Sequence, residues 1–325
     1  MEIDIKNPLA ETTTLISLTT KIWSGIKVDR KLRNQLGDEV SATDNTLLHV
    51  SKHLVGNQAN KYFRRILNRV RNNVYYPNTL AWDDNSTDDY GKVQSGWRLC
   101  PNSRIDWLLS ELSTSKDEFF KEVDAFCIRY PELIERARVT LGDAFNITDY
   151  PHVEEVRSKF KFDYEVSLLP DNRDIRTTAS SDVANRIATD AKKRERKNIQ
   201  NILRDFVGGV IEQGEHLAEK LKAYDPKQKQ KGGFFKNSSI ENFRKNVEMI
   251  PSVNKDILGN DKDIAQAHQD LVKVLSQIND IDSLRDEGQL GQEKRQSVSS
   301  GLQDALDPIK SGLMDKLGGK DELND

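Results

Sequence analysis

Hydrophobic positions along the chain follow two different periods, and the change between them organises the molecule. Residues 12–24 read TTTLISLTTKIWS. Ile16, Leu18, Thr20 and Ile22 alternate with Leu15, Ser17, Thr19, Lys21 and Trp23, and this period of two with β-branched residues predicts a strand. Gly25 closes it, and 27–35 is a charged stretch of helix or turn. Residues 57–76 switch to helical spacing through Tyr62, Ile66, Val70 and Val74, widened by Phe63 and Leu67, with Pro77 as the stop. Two short apolar stretches flank a turn-rich loop at 83–95 and predict a hairpin. Asn102 or Ser103 caps a helix carrying Ile105, Leu108, Leu109 and Leu112. A second helical stripe follows through Phe119, Val123, Phe126 and Tyr130. Pro131 is expected to open a further helical piece that ends at Gly142. Alternation returns in FKFDYEVSLL, 160–169, which puts Phe160, Phe162, Tyr164, Val166 and Leu168 on one face of a strand.

After Pro170 only the helical period remains. Residues 180–224 contain no proline and keep a narrow stripe that includes Ile199, Ile202, Leu203, Phe206, Val210, Leu217 and Leu221. The polar segment 225–233, DPKQKQKGG, reads as a linker. Stripes resume at Ile240, Phe243, Val247 and Ile250, at Ile264, Leu271, Leu275 and Ile278, and at Leu302, Leu306, Ile309, Leu313 and Leu317. The expected fold is therefore mainly α within an α+β class. A small antiparallel sheet packed with helices occupies 1–170; long helices, as a bundle or coiled coil, occupy 171–325, with the linker near 225–236 and an acidic tail. A helix of about 45 residues spans roughly 65 Å, more than one small domain covers. Its seam is expected to meet another helix of this chain or of a second copy, although Gly208, Gly209 and Gly214 suggest a kink.

Composition narrows the function classes. Charged residues make up 31% of the 325, but 49 basic against 52 acidic residues leave a net charge of −3, so no global field favours nucleic acid. Two cysteines, Cys100 and Cys127, give no disulfide framework and suit a reducing compartment. The acidic start lacks the apolar region of a secretion signal, and no run of about 18 apolar residues offers a membrane span.

Catalytic and metal motifs fail on their spacing. In the acidic loop DDNSTDD, Asp88 stands where a calcium loop needs Gly, and Gln94 where it needs Glu. His49 and His53 sit four apart, but Val50 occupies the place of a zincin glutamate. There is no Gly-x-Ser-x-Gly elbow and no phosphate-cradling Gly-rich loop. No catalytic residue, metal or cofactor is assigned. The one patterned candidate is basic: Lys61, Arg64, Arg65, Arg69 and Arg71 fall on a helix free of acids, with Trp82 and Trp97 close in sequence as bases' stacking partners. The run 192–197, KKRERK, and Lys227, Lys229 and Lys231 are read as solvated.

Several segments together carry a family resemblance. They are YYPNTLAWDDN, GWRLCPNSRIDWLL, the segment from Lys116 through Tyr130-Pro131 and Leu141-Gly142 to Asp149-Tyr150-Pro151, and the strand FKFDYEVSLLP. This combination resembles a family of unknown function encoded by tailed phages and prophages. Its genes often neighbour a MoxR/CobS-like AAA+ ATPase and a von Willebrand A-type protein. The resemblance implies a phage origin, a bacterial host cytoplasm and an AAA+ partner, and it supplies no catalytic residues. Two function classes are thus expected. The first is a non-enzymatic accessory protein acting through protein–protein contacts, as a homo-oligomer or with such an ATPase. The second is a single-strand nucleic-acid-binding protein of phage replication or recombination. Inhibition of a host defence enzyme is a third reading that the residues do not separate from the first.

Overall fold

A computed structural model describes residues 9–40, 44, 47–82, 96–169, 181–225, 235–278 and 280–316. The acidic loop 83–95, nearly all of the 225–233 linker and the acidic tail lie outside the described residues. The molecule is mainly helical with a four-stranded antiparallel sheet, as the two periods require. A single turn of helix, α1 (Leu9–Thr12), leads into β1 (Thr13–Lys21). The order is then β2 (Ile26–Val28), α2 (Arg30–Glu39), β3 (Ser51–His53), α3 (Lys61–Arg69), β4 (Leu80–Ala81), β5 (Arg98–Pro101), α4 (Asn102–Leu141), α5 (Val153–Ser158) and β6 (Lys161–Leu168). Four helices complete it: α6 (Ser181–Lys222), α7 (Asn237–Asp256), α8 (Lys262–Ser276) and α9 (Gln289–Lys316).

The sheet runs β4–β5–β1–β6. Thr13 stands opposite Pro101 and Ile16 opposite Arg98, while β4 pairs Leu80 with Leu99. β2 and β3 form a separate hairpin, with Ile26 opposite His53 and Lys27 opposite Lys52. This hairpin places His53 on a strand and His49 before it, so the two rings do not share a helical face.

Packing divides the chain into two compact units that interleave in sequence. One, the bundle unit, is Met1–Ser17, Tyr76–Asp106 and Val166–Asp325; the other, the aromatic unit, is Leu18–Tyr75 and Trp107–Glu165. The chain makes its last passage between them at Glu165–Val166.

In the bundle unit α6 packs on α7 and α9, and α8 on α7 and α9. Ile199, Leu203, Val210 and Leu221 of α6, Phe243 and Val247 of α7, Leu271 of α8 and Leu302 and Leu306 of α9 share one buried cluster with Leu9, Leu15, Leu80 and Leu99. From Ile199 onward the α6 seam is thus covered by this chain's own helices, which removes the need for a second copy there. Small residues set the approach. A Cβ at Gly214 would fall 2.6 Å from Leu306 Cδ1 and 3.0 Å from Phe243 Cζ, so this glycine marks a close helix crossing. Ser299 of α9, fully buried, donates to the Ala218 carbonyl at 2.9 Å.

The aromatic unit closes around rings. Phe63 of α3 lies 4.8 Å from Phe160, 5.7 Å from Phe119 and 5.8 Å from Phe126, mostly edge to face. Trp23 meets Tyr130 at 5.7 Å, and such pairs add roughly 0.5–1.5 kcal/mol each beyond area burial. With Phe63 in this cluster, Tyr62 is left exposed, outside the stripe expected for it. Asn60, just before α3, donates to the carbonyls of Trp23 and Ser24 at 3.0 Å and fixes the end of β1. α4 continues unbroken through Ser115 and Pro131, against the expected division. Ser115 is buried, and Pro131 is tolerated because the flanking Phe126 and Tyr130 are anchored in the core. The Tyr130 hydroxyl donates to the Pro151 carbonyl at 3.1 Å.

Candidate functional site

A concavity of about 910 Å³ lies within the aromatic unit, between the β2–α2 segment and the turns that follow α4. Four of its ionisable side chains form a connected set of ion pairs, and Arg30, Lys31 and Asp143 also line it. Asp29 caps α2 by accepting from the Leu32 N–H at 3.0 Å. Its other oxygen lies 3.1 Å from Lys52 Nζ. The same ammonium bonds Asp149 at 2.6 Å and donates to the Ala144 carbonyl at 2.8 Å. Lys27, on the neighbouring strand, holds the second Asp149 oxygen at 2.7 Å. The Lys52, Asp29 and Asp149 side chains are 11%, 12% and 9% exposed.

Each titration follows from these bonds. The Leu32 N–H, opposed by burial and aided by Lys52, holds Asp29 below the ordinary carboxylate value. Burial alone would raise Asp149, but its bonds to Lys27 and Lys52 outweigh that and lower it. Burial likewise disfavours the Lys52 ammonium, yet the two carboxylates prevail and its pKa is raised. All three ammonium protons of Lys52 are taken by acceptors, so it stays a charged clamp with neither a free pair for nucleophilic attack nor a proton poised for transfer. The clamp ties the hairpin to the Ile147–Asp149 turn, across nearly a hundred residues of chain.

On α2 beside the groove, apolar side chains are turned outward. Leu32, Leu36 and Val40 recur every four residues and are 44%, 39% and 58% exposed. Ile26 and Val28 share a face of β2 and are also exposed, and Val28 and Leu32 line the groove together. A stripe at helical spacing normally faces a core; among the described residues nothing covers this one.

The basic residues of α3 and the turn after it divide into two sets. Arg69 pairs with Glu118, and Arg71 donates to the Thr20 hydroxyl. Lys61, Arg64 and Arg65 remain exposed without an acidic partner among the described residues, and exposed Tyr62 lies between them. Trp82 and Trp97 belong to the bundle unit, where the Trp82 N–H donates to the Trp97 carbonyl at 3.2 Å and both half-buried rings pack on the apolar cluster. In the 192–197 run, Lys193 and Lys197 are exposed.

Cysteine chemistry is muted. Burial pushes the Cys100 thiol up to about 12, and it raises Cys127 as well. Among the described residues no group of three His, Cys, Asp or Glu side chains could hold a metal ion, and no helix is long and apolar enough to cross a membrane. Sequence reasoning missed the Lys52 clamp, whose only local trace is Asp29 standing ahead of RKLR as a helix cap. No protein-family model, curated protein or solved structure matches this chain.

Proposed function

We propose that this chain is a non-enzymatic accessory protein of a tailed phage that works through protein–protein contacts in the host bacterial cytoplasm. In this reading it acts as an oligomer or with an AAA+ ATPase of the MoxR/CobS-like kind. The observation that carries the reading is the outward apolar stripe of α2, Leu32, Leu36 and Val40, beside a groove that also exposes Val28. Apolar residues scattered singly on a surface are ordinary, whereas an aligned set on an amphipathic helix marks a docking face. The ion pairs of Lys27, Asp29, Lys52 and Asp149 in the groove support it too, since they hold these four groups as a structural clamp. The phage origin and the ATPase rest on the sequence resemblance.

Cross-linking from Lys27 in β2 and Lys31 in the first turn of α2 tests this reading in infected cells. Adducts to another polypeptide, or to a second copy, are expected, and Leu32→Glu with Val40→Glu should abolish them. A chain that forms no protein adducts, or whose adducts survive both changes, is not a docking protein of this kind.

A second reading is favoured by one specific observation, the exposed Lys61, Arg64 and Arg65 around Tyr62, without an acidic partner among the described residues, a combination that suits phosphates and a stacked base. Binding of single-stranded oligonucleotide would then fall steeply with salt, and Arg64→Glu with Arg65→Glu would eliminate it. Unchanged oligonucleotide retention by that variant would refute this second reading.

A further inference from the structure

We propose that the nucleic-acid face of α3 continues past the end of β1 onto the first turn of α2, so that the aromatic unit takes a single strand of about eight nucleotides or more. This rests on the second reading above and names the reach of its ligand and the further residues that hold it. A charge division that the whole-chain balance of −3 conceals comes first. Of the two segments that build the aromatic unit, 18–75 carries 11 basic and 4 acidic residues, whereas 107–165 carries 8 and 13. The unit is thus made of one cationic and one anionic segment. Local charge, and not the total, sets the field that a polyanion meets.

Internal pairing uses only part of the cationic excess. Lys27 and Lys52 go to Asp149 and Asp29, Arg69 to Glu118 and Arg71 to the Thr20 hydroxyl. That leaves Lys21, then Arg30, Lys31 and Arg33 of α2, then Lys61, Arg64 and Arg65 of α3. None has an acidic partner among the described residues, and all but half-buried Arg33 are exposed. Asp38 and Glu39 are also exposed, but they lie at the other end of α2.

The chain path holds these cations together. Asn60, next to Lys61, donates to the carbonyls of Trp23 and Ser24 at 3.0 Å, so the start of α3 lies against the end of β1, whose last residue is Lys21. From Ser24 the chain reaches Arg30 in six residues, at most about 20 Å. Asn60 to Arg65 adds about 8 Å of helix. At about 3.4 Å per phosphate along one strand, roughly eight nucleotides cover that length.

Arg30 and Lys31 line the groove and stand about 120° and 140° around α2 from Leu36, off the apolar stripe. Asp29 and Asp149 in that groove are already neutralised by the lysines; Asp143 on the facing wall has no cationic partner among the described residues, and Arg30 and Lys31 outnumber it. Four of the seven cations are arginines, whose planar forks match phosphate oxygens. Exposed Tyr62, beside Lys61, offers a ring on which a base stacks, a contact that an acidic polypeptide does not use.

Fluorescence anisotropy on the full-length chain with a labelled oligothymidylate of about 12 nucleotides, at about 50 to 200 mM salt, decides the matter. Seven cations at about 0.7 counterions each give a log–log salt slope near −5. Arg30→Gln/Lys31→Gln replaces exposed side chains, so circular dichroism should not change. It should weaken binding at least tenfold at about 0.1 M salt and flatten the slope by about 1.4. Shortening the strand to about four nucleotides should cost the wild type at least tenfold and this variant much less. An equal loss in both, or a variant that binds the longer strand with wild-type affinity and slope, overturns the inference; if Arg64→Glu with Arg65→Glu still abolishes binding, the reading of α3 alone stands. A wild type that binds no oligonucleotide ends both. Poly-glutamate of matching length should compete at least tenfold less well than unlabelled strand, and equal competition would make this a surface for acidic polypeptides and overturn the inference too.

Discussion

Replacing Lys52 by Met is the sharpest probe of the groove, because the change keeps the apolar stem and deletes the buried charge. Lys52 joins two carboxylates about nine-tenths buried and one carbonyl, at 2.6–3.1 Å. Removing one partner of such a buried set leaves uncompensated charge and costs about 3–5 kcal/mol. Two contacts survive. The Leu32 N–H still donates to Asp29, and Lys27 still meets Asp149, though Lys27 is 47% exposed and its pairing is screened to about 0–1 kcal/mol. The expected loss is therefore at the low end, about 3 kcal/mol, or a fall in Tm of about 10 °C for a unit of this size.

The pH dependence sharpens the test. Asp29 and Asp149 have lowered folded-state pKa values, so their contribution is present above the unfolded value near 4 and disappears as pH falls through the folded values. Lys52 is raised, so its contribution is present below the unfolded value near 10.4 and is lost as pH rises through the folded one. The gap between wild type and Lys52→Met should be widest between about pH 5 and 9 and close towards pH 3. Urea unfolding followed by circular dichroism across pH 3–9 measures it. A gap under about 0.5 kcal/mol at pH 7, or one that does not shrink on acidification, refutes the buried-clamp argument.

Other outcomes follow from packing. Gly208→Ala and Gly209→Ala meet nothing within 4 Å, so each should raise stability by up to about 1 kcal/mol by thermal unfolding. Gly214→Ala gains the same propensity but drives its methyl into Leu306 and Phe243, and Gly214→Val should cost about 1–3 kcal/mol net. Phe63→Ala, fully buried among three other rings, should lose about 3–5 kcal/mol in the same assay. Iodoacetamide at neutral pH should alkylate partly exposed Cys127 slowly and Cys100 hardly at all until the chain unfolds, as peptide mapping would show.

What the sequence made legible was what period alone encodes. Long helices from 181 to 316, strands at 13–21 and 161–168, and the β4–β5 hairpin all carry many apolar residues in register. The β2–β3 hairpin was hidden because its strands, Ile-Lys-Val and Ser-Lys-His, are three residues each and expose most of their side chains. Pro131 misled because a helix anchored by buried Phe126 and Tyr130 can lose one hydrogen bond and continue. The α6 seam left open whether another helix of this chain or a second copy would cover it, because its partners, Phe243 and Leu306, lie tens of residues away and carry no mark of which helix they will meet. The Lys52–Asp149 bond was invisible for the same reason. By contrast, the free cations of α3 were readable as a set, but not which of them Glu118 and Thr20 would absorb.

The interleaved packing has a consequence for how the chain is made. The bundle unit's core joins Leu9 and Leu15 to Leu302 and Leu306, and a ribosome adding 5–20 residues per second separates their synthesis by roughly 15 s or more. During that interval β1 has emerged while the helices that will cover its first residues do not yet exist. The aromatic unit is complete once Glu165 has been added, so it can form early and hold part of β1 in place. A stop codon between Val166 and α9 would therefore release a polypeptide with one finished unit and one open, adhesive unit.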